Sequence, residues 1–122
     1  MSALQIARFV IAFAWVYQGL LPKIVQISSA ELVLVSGFGL SEDATHTLLT
    51  IAGIGEIAWG FLFLALYRIR AIVYLNIVAL AGLLLGVIFT APQFLIEAFN
   101  PVTTNLPLIA LSVVILEHTK RT

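Results

Sequence analysis

The sequence predicts an all-α integral membrane protein: one four-helix bundle over residues 1–122, both termini cytoplasmic, with interfacial segments in its two external connections. Three observations lead there. The chain is 61% hydrophobic and 10% charged, against roughly half and a quarter in soluble domains. Its apolar residues gather into runs near the ~20 residues that a helical crossing needs. Its basic residues fall almost entirely on one side of those runs.

The first predicted helix covers about residues 4–21, interrupted only by Arg8 and Gln18. At 1.5 Å per residue it covers ~27 Å, close to the ~30 Å hydrocarbon core. Pro22 and Lys23 are expected to kink or stop it. The run is not read as a cleaved leader, because Pro and Lys close it and no A-x-A-like site is evident. Residues 24–45 mix Ser, Glu and Gly with Ile27, Leu32, Val33 and Leu34, which suggests a short amphipathic helix on the membrane surface. Gly37-Phe38-Gly39 makes a turn, and Ser41 with Glu42 and Asp43 resembles a helix cap and an acidic first turn.

The second span, about 44–66, carries one charge near its middle, Glu56. Tyr67-Arg68-Ile69-Arg70 forms a tight basic connection. The third span, about 71–89, contains Asn76 and the Gly82/Gly86 pair, whose spacing is that of helices packed closely within a bundle. Pro92 closes it. Residues 93–104 look interfacial. Asn105 is the expected cap of the fourth helix, about 106–119, with Pro107 in its first turn. That helix is ~21 Å long, too short to cross alone, so part of Phe94–Thr104 is expected to dip below the outer interface.

Arg8, Arg68, Arg70, Lys120 and Arg121 lie on one side of these spans and Lys23 alone on the other. The positive-inside rule then places both termini in the cytoplasm. Glu31, Glu42, Asp43 and Glu97 decorate the external connections.

Composition also excludes functions. Basic and acidic side chains balance at six each, so there is no excess to neutralise phosphates along a nucleic acid. Without cysteine the chain has no thiol redox chemistry, thiolate metal site or iron–sulfur cluster. The two histidines, His46 and His118, fall at opposite faces and cannot share a metal. No nucleotide or nucleophile motif is present, and catalysis by the isolated chain is not expected.

Glu56 is the most informative residue, because an intramembrane carboxylate is costly and usually faces the bundle interior. Gly53 and Gly60 share its face and allow another helix to approach. Trp15 comes to a similar depth, and Glu56 is an available acceptor for its indole N–H. Glu56 is then either a proton-carrying or ligand-binding carboxylate in a small cavity, or a hydrogen-bonded strut between helices. Lys23 can reach inward or snorkel to the headgroups, and snorkelling is the usual behaviour at a helix end. Arg8 is expected to snorkel on the other side. Asn76, Asn100 and Asn105 are read singly as a helix contact, a turn and a cap; with Thr103 and Thr104 the last two make the outer mouth polar.

Trp15-Val16-Tyr17-Gln18-Gly19-Leu20-Leu21-Pro22-Lys23, then Glu31, then Gly53-Ile54-Gly55-Glu56 with Gly60, and finally Phe99-Asn100-Pro101-Val102-Thr103-Thr104-Asn105 together resemble the DoxX-like family of small four-helix membrane proteins. The resemblance covers nearly the whole chain and implies a four-helix bundle in the bacterial inner membrane. The wider family includes a subunit of a thiosulfate:quinone oxidoreductase as well as membrane partners and assembly factors. The recurrent Trp, Lys, Glu and Asn positions map onto Trp15, Lys23, Glu56, Asn100 and Asn105, which implies an outward-facing pocket, with Tyr17 as a further wall. The expected function is a membrane subunit that binds a quinone, a lipid or another small molecule and works with a separate oxidoreductase. The alternative is a structural or assembly partner of a membrane complex. A transporter comes third, since four helices are few unless the chain forms a homo-oligomer.

Overall fold

Serine and asparagine side chains start four of the helices. A computed structural model describes residues 1–119; the Lys120 and Arg121 of the orientation argument lie outside them. Helix α1 (Ala3–Leu20) begins where the Ser2 hydroxyl accepts from the Gln5 N–H at 3.2 Å. Ser28 caps α2 (Ser29–Ser36) through the Glu31 N–H, and Ser41 caps α3 (Glu42–Leu66) through the Ala44 N–H. Each hydroxyl satisfies one of the N–H groups that a helix start leaves without a partner. Gly39, at φ +67, supplies the left-handed residue between α2 and α3. Helix α4 spans Arg70–Thr90 and α5 spans Pro101–Thr119, joined through a 3₁₀ turn at Pro92–Ile96.

One expectation about proline is refined and one corrected. The α-helix ends just before Pro22, as expected, but the span runs on to Val25. A π-helical turn, Leu21–Val25, follows α1 directly, and the Gln26 N–H closes it on the Leu21 carbonyl at 3.1 Å. The wider π turn accommodates a proline, which offers no N–H to the ladder. At the other end, the cap of the last helix is Asn100, not Asn105. Asn100 Oδ1 accepts from the N–H groups of Val102 and Thr103, and Pro101 takes the first helical position, where its missing N–H costs nothing. Pro107 therefore lies inside α5 and removes a single rung of the ladder. With 19 residues, ~29 Å, α5 is long enough to cross by itself. Residues 101–104 enter the crossing as its first turn, and its length no longer requires residues 94–100 to do so.

Four helical stretches, Ala3–Val25, Glu42–Leu66, Arg70–Thr90 and Pro101–Thr119, are long and apolar enough to span a membrane. Helix α1 packs against α3 and α5, α4 packs against α5, and α3 meets α4 only lightly. Ala7, Ile11, Trp15, Phe63, Tyr67, Val73, Leu80 and Ile115 form the core. Large apolar side chains such as Phe13, Val78 and Phe89 are exposed around it, as they should be where lipid is the solvent.

The α1–α3 seam depends on glycine. A Cβ built on Gly19 would lie 2.5 Å from the Gly53 carbonyl oxygen, and one on Gly53 equally near the Gly19 carbonyl. Gly60 meets Val16 and Ala12 with similar closeness. The backbones touch because neither helix has a side chain there. Gly82 and Gly86, expected to pack inside the bundle, face open space instead; α4 turns Val73, Asn76 and Leu80 inward.

Candidate functional site

Lys23, Glu31 and Glu56 come from three separate elements and converge. The π turn continues the buried row Ala7, Ile11, Trp15, Gly19 of α1 onto Lys23. The side chain consequently turns into the bundle rather than snorkelling, and only 9% of it is exposed. Its ammonium donates to Glu31 Oε1 at 2.7 Å, pairs with Glu56 Oε1 at 3.0 Å, and reaches the Gln18 carbonyl at 3.4 Å. Those three acceptors match the three ammonium protons. Glu31 arrives on α2, a helix with no buried residue of its own. Glu56 arrives from the glycine-lined face of α3, opposite Gly19. With both carboxylates ionised the trio carries one net negative charge. A single proton makes it neutral and still leaves the lysine one anionic partner.

The Trp15–Glu56 hydrogen bond expected from depth does not form. The Trp15 indole N–H donates to Asn76 Oδ1 at 2.7 Å, and the Trp59 indole donates to the same oxygen at 3.1 Å. The Asn76 amide donates onward to Ser112 Oγ at 2.8 Å, and that hydroxyl donates to the Leu108 carbonyl. One buried asparagine thus ties α1, α3, α4 and α5 together. Its oxygen has room for two indoles where a paired carboxylate would have to leave its lysine. Among the described residues no buried side-chain nitrogen or oxygen is without a partner.

The other predicted site residues are more dispersed. Tyr17 is half-exposed and tilts against Phe13, with ring centroids 5.7 Å apart. Asn100 is spent on the α5 start. Asn105 donates to the Leu80 carbonyl of α4 at 3.1 Å and holds α4 and α5 together. Grooves near this end run between α2 and the Phe94–Phe99 segment, and between α2 and the start of α3; Lys23 and Glu56 line neither. Among the described residues no group of His, Asp and Glu is arranged to hold a metal.

Sequence reasoning placed Glu31 among the surface acids and did not single out Trp59 or Ser112. A usable signal existed for the last two, since polar groups inside a spanning helix seek one another. Glu31 had none in the residues themselves, because nothing in the loop pattern said which face of α2 would meet Lys23.

The model of the DoxX-like family matches residues 12–113. The chain belongs to the DoxX-like family. The match begins inside α1, before Trp15, and runs through Lys23, Glu31, Glu56 and Asn76 into α5, so it contains both the ion cluster and the asparagine knot. This DoxX-like chain is a membrane protein with four candidate transmembrane helices. No curated protein and no solved structure matches it.

Proposed function

We propose that this DoxX-like protein is a membrane subunit that binds the head of a quinone, or of a lipid of similar polarity, at the Lys23 cluster and works with a separate oxidoreductase. One observation carries the reading: the Lys23 ammonium is buried between Glu31 and Glu56, while the helix that supplies Glu31 is otherwise unburied. A ligand carbonyl that replaces Glu31 gains a charge-assisted hydrogen bond from Lys23. Glu56 stays paired, and the displaced α2 loses no packed core. Glu56 is then the group placed to hold or pass a proton. The family resemblance favours a quinone over other carbonyl compounds. The bacterial inner membrane, with both termini cytoplasmic, belongs to the same proposal and rests on the basic residues at one end of the spans.

The test is direct binding of a short-chain ubiquinone to the full-length protein in detergent, followed by quenching of Trp15 and Trp59. Saturable quenching is expected in the wild type, with loss in Lys23→Met and in Glu56→Gln while helix content is kept. No saturation, or equal affinity in both variants, sinks the reading.

A structural or assembly role is the second reading, and the Asn76 knot favours it. A core whose polar groups are satisfied by one another needs no ligand to be complete. Under this reading Asn76→Leu weakens the bundle, quinone is not bound, and affinity purification recovers a stoichiometric membrane partner.

A further inference from the structure

Opposite the Lys23 cluster, Arg8 and Arg68 flank Tyr67, and Arg70 stands at the start of α4. The guanidinium carbons of Arg8 and Arg68 lie 4.4 and 5.2 Å from the Tyr67 ring centroid. Arg8 donates to the Leu64 carbonyl in the last turn of α3 and to Gln5. Arg70 donates to the Leu116 carbonyl in the last turn of α5 and to the Tyr74 hydroxyl. These contacts fix both side chains with neutral partners, and among the described residues nothing compensates their charges. Arg68 is exposed and, among the described residues, uses only Nε, on the Tyr67 hydroxyl. Among the described residues no carboxylate pairs with any of the three, although exposed Glu117 lies in the last turn of α5; the ion pairs present are those of Lys23.

We propose that this end of the bundle binds a phosphate group, which in the membrane is the phosphodiester of an anionic phospholipid. A guanidinium fork matches two phosphate oxygens, and Arg68 has its two Nη groups to offer. Arg8 and Arg70, already held in place, add charge without a further loss of side-chain freedom. Exposed Phe9, Ile69 and Tyr74 lie beside the arginines and give the glycerol and upper acyl carbons an apolar wall. Tyr67 registers the positive field. Burial pushes its phenol up, but the Arg68 hydrogen bond and the neighbouring charges outweigh burial and bring it below the ordinary value.

The test uses the full-length protein in detergent, with phosphatidylglycerol and phosphatidylcholine of matched chains followed by native mass spectrometry and thermal melts. Phosphatidylglycerol is expected to bind preferentially and raise the melting temperature. Arg68→Gln should cut that preference about fivefold while the protein keeps its helix content. An equal rise with inorganic phosphate supports the site but assigns it to a soluble ligand. Should Arg68→Gln not fold, salt replaces it: the preference should collapse near ~1 M salt, where screening reaches ~3 Å. Equal binding of the two lipids, an undiminished preference in Arg68→Gln, or one that survives high salt overturns the proposal.

Discussion

Lys23 Nζ and Glu56 Oε1 lie 3.0 Å apart, although one residue belongs to the end of the first span and the other to the middle of the second. The contact exists because Gly19 and Gly53 let the two backbones touch just beside it. A buried pair of this kind is a weak source of net stability, but removing one partner leaves an uncompensated charge.

Lys23→Met should therefore cost about 3–5 kcal/mol, since it leaves two carboxylates without their common cation. Equilibrium unfolding in mixed micelles measures it. The double variant Lys23→Met/Glu56→Gln should recover part of the loss. Strict additivity would show that the two side chains do not interact.

Asn76→Leu removes the shared acceptor of two indoles and the donor to Ser112. Three intramembrane hydrogen bonds at about 0.6 kcal/mol each predict a loss of about 2 kcal/mol. Tryptophan emission should also shift, because Trp15 and Trp59 lose their partner together. A melting curve and emission spectrum identical to wild type would refute the knot.

Glycine substitutions should separate the seam from the lipid face. Gly53→Ala drives a Cβ into the Gly19 carbonyl and should lower the melting temperature while parting α1 from α3. Gly82→Ala meets nothing and should be neutral or stabilising by up to about 1 kcal/mol, the ordinary cost of glycine inside a helix. A homo-oligomer built on the Gly82 face would instead dissociate in Gly82→Leu.

Glu31→Gln should loosen α2 and leave the four spans intact. Hydrogen exchange reads this locally: amides of Ser29–Ser36 should exchange faster, and those of α3 should not. Uniform protection across both helices would show that α2 is held by something besides the ion pair.

Tyr67 gives a pH prediction with a definite sign. Its ionised form is favoured in the fold despite burial, so its folded pKa lies beneath the unfolded value near 10. The resulting stabilisation is fully present above the unfolded pKa and disappears as pH falls through the folded one. It contributes nothing at neutral pH. Absorbance titration near ~295 nm should show tyrosinate appearing early, and Arg68→Gln should move it upward.

The four spans were legible because lipid imposes a simple rule. Every backbone polar group in a crossing segment must bond within its own helix, so long apolar runs declare themselves. Glu56 and Asn76 were visible for the same reason, as polar side chains in places where polarity is costly. The end of α5 nearest Asn100 was misread because Asn100-Pro101 and Asn105 with Pro107 are both plausible starts, and local chemistry does not rank them. The spans fall from the composition and order of residues alone, as do the basic bias between the two ends and the presence of one deep carboxylate. Partners are a different matter. That Trp15 binds Asn76 rather than Glu56, that Lys23 turns inward, and that Glu31 joins the cluster depend on a π turn and on two glycines in contact. Those features set the rotation of one helix against another. Depth along a helix follows from counting residues, but azimuth is decided only when all four helices pack at once.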